Sequence, residues 1–248
     1  MLKKPKMILF DYGNTLLCEP NFSFLRGEEA LFRHISKNRN ELTPKQLNDF
    51  GQKLFEQIGV VREIGMELHE RQFQRFLYEY LDIELSISFS EAEKILWDNA
   101  SAGALMPNVD TMLDYINANG IRSGVISNIG WSGMALTERI NRMLPRNKFE
   151  FIIASSEYMF RKPSPMLFQL ALKKAELDAN DVWFCGDNIK ADVEGSSAAG
   201  MFPVWYEDEM TDNPWHEKNQ GITTCCECLH IHNWHELIAV LKSCVDVA

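Results

Sequence analysis

The apolar positions of this chain follow two rhythms. Short unbroken apolar runs, each stopped by a cluster of turn-forming polar residues, alternate with segments of helical spacing. The first run, Met7-Ile8-Leu9-Phe10, stops at Asp11-Tyr12-Gly13-Asn14, which predicts a buried parallel strand running into a loop. Residues 121–126 stop in the same way at Ser127-Asn128, 149–154 at Ser155-Ser156 and 182–185 at Gly186-Asp187-Asn188, while 201–206 supplies a fifth strand. Helical patterns fill the gaps at 109–119, 132–143, 164–175 and 192–199, with Gly120 and Gly200 as stop residues for the first and last. This alternation predicts an α/β fold, a Rossmann-like three-layer core whose parallel sheet carries helices on both faces. Such folds bind ligands at the carboxyl ends of their strands.

From residue 20 to residue 104 the strand rhythm disappears. Residues 24–36, 43–61, 66–81 and 89–101 read as helices, with Thr43-Pro44 and Ser90-x-x-Glu93 as N-terminal caps. The expected organisation is therefore a Rossmann-like core of residues 1–19 and 105–248 with an α-helical domain, 20–104, inserted after the first strand. Met106-Pro107-Asn108 marks the re-entry point.

Composition narrows the partners. With 248 residues, 46% of them hydrophobic, the chain can bury a core that needs neither disulfides nor a structural metal. A net charge of -10 without a dense Lys/Arg run excludes a nucleic-acid backbone as a partner. The basic start, Met1 to Lys6, leads into an apolar run too short for a signal segment, and no window is long enough to span a membrane. Six dispersed cysteines fit reduced thiols. A soluble cytoplasmic protein is expected. Cys225, Cys226, Cys228, His230, His232 and His235 invite a zinc reading, but Cys-Cys-x-Cys-x-His lacks the loop that separates paired zinc ligands. A strand leading into a helix over 234–245 is expected there instead.

The polar clusters at the strand ends carry the candidate chemistry. Phosphoryl transfer needs a nucleophile, a metal ligand and positive charge for the phosphoryl oxygens. Asp11, Asp187 and Asp192 offer carboxylates, Lys162 a cation, and Ser127 with Asn128 hydrogen-bond donors. Hard oxygen ligands of this kind suit Mg2+.

In order and spacing these residues resemble the haloacid dehalogenase superfamily of phosphatases and related hydrolases, which implies that 1–19 and 105–248 form the catalytic core and that the α-helical domain 20–104 is its cap domain. Phe10-Asp11-Tyr12-Gly13-Asn14-Thr15-Leu16 is similar to its first motif and Val125-Ile126-Ser127-Asn128 to its second. Arg161-Lys162-Pro163-Ser164-Pro165 is similar to the third, and the stretch from Phe184 to Asp192 to the fourth. The resemblance implies a phosphatase acting on a small phosphorylated metabolite through an aspartyl-phosphate, with Asp11 as nucleophile. It implies that Ser127 and Lys162 bind the phosphoryl group and that Mg2+ is held by Asp11, Asp187 and the Gly13 main-chain carbonyl, with Asp192 in support.

The chain departs from the pattern at Gly13, where most phosphatases of this family carry a second Asp that protonates the leaving oxygen and then activates water. Two other readings follow from that departure. One is a 2-haloacid dehalogenase, which needs no metal. The other is a catalytically weak protein that binds a ligand or partner. Arg62, Glu63, His69, Arg71 and Arg75 of the helical segment are candidates to face the substrate, although charges on helices ordinarily form solvated faces.

Overall fold

The structure, a computed structural model, describes residues 2–208, 219 and 221–245. The remaining positions of the expected core, 209–218, 220 and 246–248, lie outside the described residues, as does Met1.

Six strands form one wholly parallel sheet in the order β10-β9-β8-β1-β6-β7. They are β1 (Met7–Phe10), β6 (Arg122–Ser127), β7 (Ile152–Ala154), β8 (Val182–Gly186), β9 (Phe202–Tyr206) and β10 (Leu229–Ile231). The central strand β1 is buried along its whole length, and its side chains divide between the two faces as strand geometry requires. Ile8 and Phe10 join a cluster with Val109, Met112 and Ile116 of α5 (Val109–Ala118) and Trp234 and Leu237 of α9 (Trp234–Ser243). Met7 and Leu9 face Leu167, Phe168 and Ala171 of α7 (Pro165–Ala175). The α/β architecture read from the alternation is borne out. Each such side chain stabilises the fold by roughly 1.5–3 kcal/mol, enough for the sheet to hold its polar strand ends in fixed register.

Between β1 and α5 the chain forms α1 (Phe24–Leu31), α2 (Pro44–Ile58), α3 (Glu70–Tyr80) and α4 (Phe89–Ala100). Two short strands at the ends of this segment, β2 (Leu17–Cys18) and β5 (Ala104–Leu105), pair antiparallel, so the chain leaves and re-enters the sheet side by side. Next to this neck, buried Arg139 of α6 (Gly133–Met143) binds Glu19 at 2.7 Å, Asp98 of α4 at 2.9 Å and the Ser101 carbonyl at 2.8 Å.

Several sequence expectations need correction. The helix expected over 24–36 stops at Leu31, because Ile35–Asn38 (β3) pairs antiparallel with Ile83–Leu85 (β4). The N-terminal cap of α4 is Ser88, in a capping box with Glu91, not Ser90 with Glu93. Glu93 instead turns inward to Ser132, accepting from its main-chain N–H at 2.7 Å and its hydroxyl at 2.6 Å. The helix expected from residue 66 begins at Glu70, because Glu67 N–H donates to the Met159 carbonyl at 2.8 Å. Strand β7 is confined to Ile152–Ala154. The helix expected from Asp192 starts earlier, as a π-helical turn, Ile189–Glu194, that continues into α8 (Gly195–Ala198). All six cysteines are free, and no helix among the described residues is long and apolar enough to cross a membrane.

Candidate active site

The carboxyl ends of β1, β6 and β8 and the turn before α7 meet in one cavity of about 800 Å³. Asp11 follows β1 directly, and its N–H donates to the Cys185 carbonyl of β8 at 2.8 Å, which extends the ladder to the site. Lys162 reaches in ahead of α7, with its ammonium 2.7 Å from Asp11 Oδ1 and 2.6 Å from Asp192 Oδ1. Asp187 follows β8, and carboxylate oxygens of Asp11, Asp187 and Asp192 lie within 4.8 Å of one another. All three are buried.

The sequence builds this packing locally. Gly186 has no side chain where a Cβ would come within 2.4 Å of Asp192 Cγ. That close approach lets Asp192 lie against the end of β8, where Asn188 N–H donates to its Oδ2 at 3.0 Å. Asn128 is committed to the backbone of Lys162: its Nδ2 donates to the Lys162 carbonyl at 2.8 Å, and its Oδ1 accepts from the Lys162 N–H at 2.7 Å. Ser127 is buried at the end of β6 and lines the cavity, as does Gly13.

The electrostatics are unbalanced. Burial alone pulls the Lys162 ammonium down, but Asp11 and Asp192 outweigh it and leave the group raised. Burial, with Asp11 and Asp192 nearby, drives Asp187 well above the ordinary carboxylate range. Burial pushes Asp192 up to about 6. Three buried carboxylates thus share one lysine, and Asp187 Oδ2 has no hydrogen-bond partner. An all-oxygen donor set with an unpartnered buried oxygen fits a hard divalent cation.

Residues 30–205 match the family model of haloacid dehalogenase-like hydrolases. The chain belongs to that family. The matched stretch spans the second, third and fourth motifs; Asp11 precedes it and rests on its own geometry. A glyceraldehyde 3-phosphate phosphatase of Pyrococcus abyssi is 26% identical over 204 residues, 82% of this chain and 81% of that protein. A pyrimidine 5'-nucleotidase of Escherichia coli is 26% identical over 134 residues, 54% of this chain and 56% of that protein. Among solved structures, a 2-haloacid dehalogenase from Pseudomonas syringae superposes with a TM-score of 0.60 at 21% identity over 98% of this chain and 99% of that one. A HAD phosphatase from Thermococcus onnurineus superposes with a TM-score of 0.61 at 16% identity, covering 96% and 98%. These two likenesses establish the fold.

In this member of the haloacid dehalogenase-like hydrolases the helical segment supplies part of the cavity wall. Of the charged residues singled out there, Arg62 and Glu63 line it, together with Phe22 and Trp97. His69, Arg71 and Arg75 do not: His69 caps α3, Arg71 lies 3.4 Å from Glu93, and Arg75 covers the Phe89 ring. The sequence reading missed Arg161, Trp131 and Lys190 on the wall, and it missed Glu67 behind it. Buried Glu67 accepts from Arg62 Nε at 2.8 Å, Arg161 Nη1 at 2.5 Å and Ser155 Oγ at 2.9 Å, holding two guanidinium groups at the cavity. Arg161 was legible as the neighbour of Lys162; Glu67 carried no local signal.

Proposed function

We propose that this hydrolase is a magnesium-dependent phosphatase that cleaves a small phosphorylated metabolite through an aspartyl-phosphate on Asp11. The observation that carries this reading is the pairing of buried Asp11 with Lys162, beside Asp187 and Asp192, at the floor of a cavity open to a ligand. The names of the relatives, a triose-phosphate phosphatase and a nucleotidase, support the same class of reaction.

Asp11 attacks phosphorus; the bond from phosphorus to the leaving oxygen breaks, and that oxygen departs with the electron pair. Water then attacks the aspartyl-phosphate, the bond from phosphorus to the Asp11 oxygen breaks, and inorganic phosphate leaves with the carboxylate regenerated; the proton that water gives up to solvent replaces the one the departed oxygen takes from it. Lys162 holds Asp11 in place and offsets charge on the phosphoryl oxygens, with Ser127 as a further donor. Asn128, through its two bonds to the Lys162 backbone, positions that lysine. Asp11, Asp187 and the Gly13 carbonyl would hold Mg2+, with Asp192 in support; when bound, the ion neutralises charge on the transferring group.

Gly13 offers no proton to the leaving oxygen. Leaving groups that depart as stable anions, such as those of anhydrides and sugar 1-phosphates, are therefore the better substrates. Residues 20–104 act as a cap whose Arg62, Phe22 and Trp97 meet the organic part of the substrate. The mixture of cationic and aromatic wall suits a phosphorylated metabolite.

The test is phosphate release from a panel of sugar phosphates, nucleotides and acyl phosphates with Mg2+ present, run beside Asp11→Asn. Release no faster than that variant across the panel would overturn the reading. Gly13 also favours a second reading, the metal-free 2-haloacid dehalogenase. Halide release from 2-haloacids that persists in EDTA would select it.

A further inference from the structure

Among the described residues, one other group of three metal-capable side chains stands apart from the catalytic carboxylates: Glu207, His230 and His232. Glu207 directly follows β9. His230 lies on β10 and His232 just beyond its end, so the group sits at the carboxyl edge of the outermost parallel pair. Residues two apart on a strand share a face. One ring nitrogen of each histidine and one carboxylate oxygen of Glu207 lie within 4.8 Å of one another.

Both rings are held in place. His230 Nε2 is 2.8 Å from Glu207 Oε2, and its ring lies flat on the Trp205 indole with centroids 3.8 Å apart. His232 Nδ1 donates to the Glu207 main-chain carbonyl at 3.0 Å, the kind of partner that fixes the tautomer and orientation of a ligating imidazole. The Cys225, Cys226 and Cys228 thiols are not part of this group.

We propose that Glu207, His230 and His232 form a second metal site, selective for zinc over magnesium, with water completing the coordination. Two imidazoles and one carboxylate are a borderline nitrogen-rich donor set, whereas the catalytic group offers oxygen alone. Tetrahedral zinc at about 2.0–2.2 Å from each ligand places neighbouring donors roughly 3.4 Å apart, inside the 4.8 Å within which the three donors already lie. The ion ties the end of β9 to the edge strand β10.

The experiment is a calorimetric titration of the full chain with zinc chloride in excess magnesium chloride, which keeps the carboxylate site filled. One zinc is expected to bind. His230→Ala and His232→Ala are each expected to weaken it at least ~10-fold, as is Glu207→Gln, which leaves both rings and the Trp205 stack in place. The Cys225→Ser/Cys226→Ser/Cys228→Ser variant is expected to bind zinc like the parent. As a second readout, nickel chloride should quench indole fluorescence, and Trp205→Phe should remove part of that quench. Zinc binding that survives the two histidine substitutions together, zinc binding lost in the cysteine variant, or no zinc binding over magnesium would each overturn the proposal.

Discussion

The Lys162 ammonium lies 2.7 Å from Asp11 Oδ1, and both side chains are buried. A buried cation paired with a carboxylate loses more when one partner is removed than an exposed pair does, because the survivor is left charged without water. Under the proposed mechanism, Lys162→Met therefore disturbs Asp11 as well as the charge offset for the phosphoryl oxygens. We expect kcat/KM to fall by ~10²-fold or more in this variant and turnover to vanish in Asp11→Asn. Acid-quenched phosphoenzyme should be trapped in the parent and absent in Asp11→Asn. Equal phosphoenzyme in both would remove Asp11 from the mechanism.

Asp187 Oδ2 is buried without a hydrogen-bond partner, which makes divalent metal the natural complement of this site. Phosphate release should drop about 100-fold or more in EDTA and return with excess Mg2+. Asp187→Asn should raise the Mg2+ concentration needed for half-maximal activity. An unchanged Mg2+ dependence in that variant would mean that the ion sits elsewhere.

Much of the candidate site's floor was legible from sequence as a place, and the reason is geometric. Asp11, Ser127 and Asp187 each end an apolar run, and a parallel sheet gathers such ends into one place. What escaped was set by contacts distant in sequence. Ser88-x-x-Glu91 and Ser90-x-x-Glu93 carry the same capping spacing two residues apart; the inward contacts of Glu93 with Ser132 and Arg71 distinguish them. Strands β3 and β4 stabilise each other across the helical segment, and neither has a run long enough to announce itself. Glu67 looks like any exposed helix charge until Arg62, Arg161 and Ser155 are placed around it.

That grip makes Glu67 a positioning residue for the cavity wall. Glu67→Gln loses the charge that holds the two arginines but keeps the size of the side chain. We expect KM for a good substrate to rise several-fold, up to ~10-fold, with kcat nearly unchanged and Glu67→Asp partly restoring KM. A fall in kcat at constant KM would mean that Glu67 acts on the chemical step.

Gly13 tests the missing acid directly. A Cβ built there has Asp11 Oδ2 as its nearest neighbour at 4.0 Å, so the backbone at this position has room for a side chain's first carbon. Gly13→Asp places a carboxyl two residues beyond Asp11, the proposed nucleophile. General acid-base help is worth about 10²–10⁴-fold when well placed, and even imperfect placement should speed hydrolysis of alkyl phosphates ~10-fold or more. Acyl phosphates, which need no protonated leaving group, should gain little. Equal gains for both substrate classes, or none for alkyl phosphates, would show that proton transfer is not what limits this enzyme.

The helical segment should carry its own pH signature. Burial raises Glu28 from 4.5 to about 7, against the hydrogen bond it accepts from Tyr78. Burial and the charges of Glu28 and Glu93 raise Glu70 from 4.5 to about 8. Both carboxyls therefore keep a proton in the folded chain at pH values where the unfolded chain has released it. The folded state binds more protons between about pH 4.5 and pH 8, so stability is greatest at the acid end of that window and falls as pH rises through the two folded values. A loss of even one or two kcal/mol moves the midpoint of a chain this size by roughly 2–8 °C. Thermal unfolding should thus shift down by several degrees between pH 6 and pH 9, and Glu70→Gln, which cannot ionise, should flatten that dependence. A midpoint that rises over this range, or the same slope in Glu70→Gln, would show that these carboxyls ionise as freely in the folded chain as in the unfolded one.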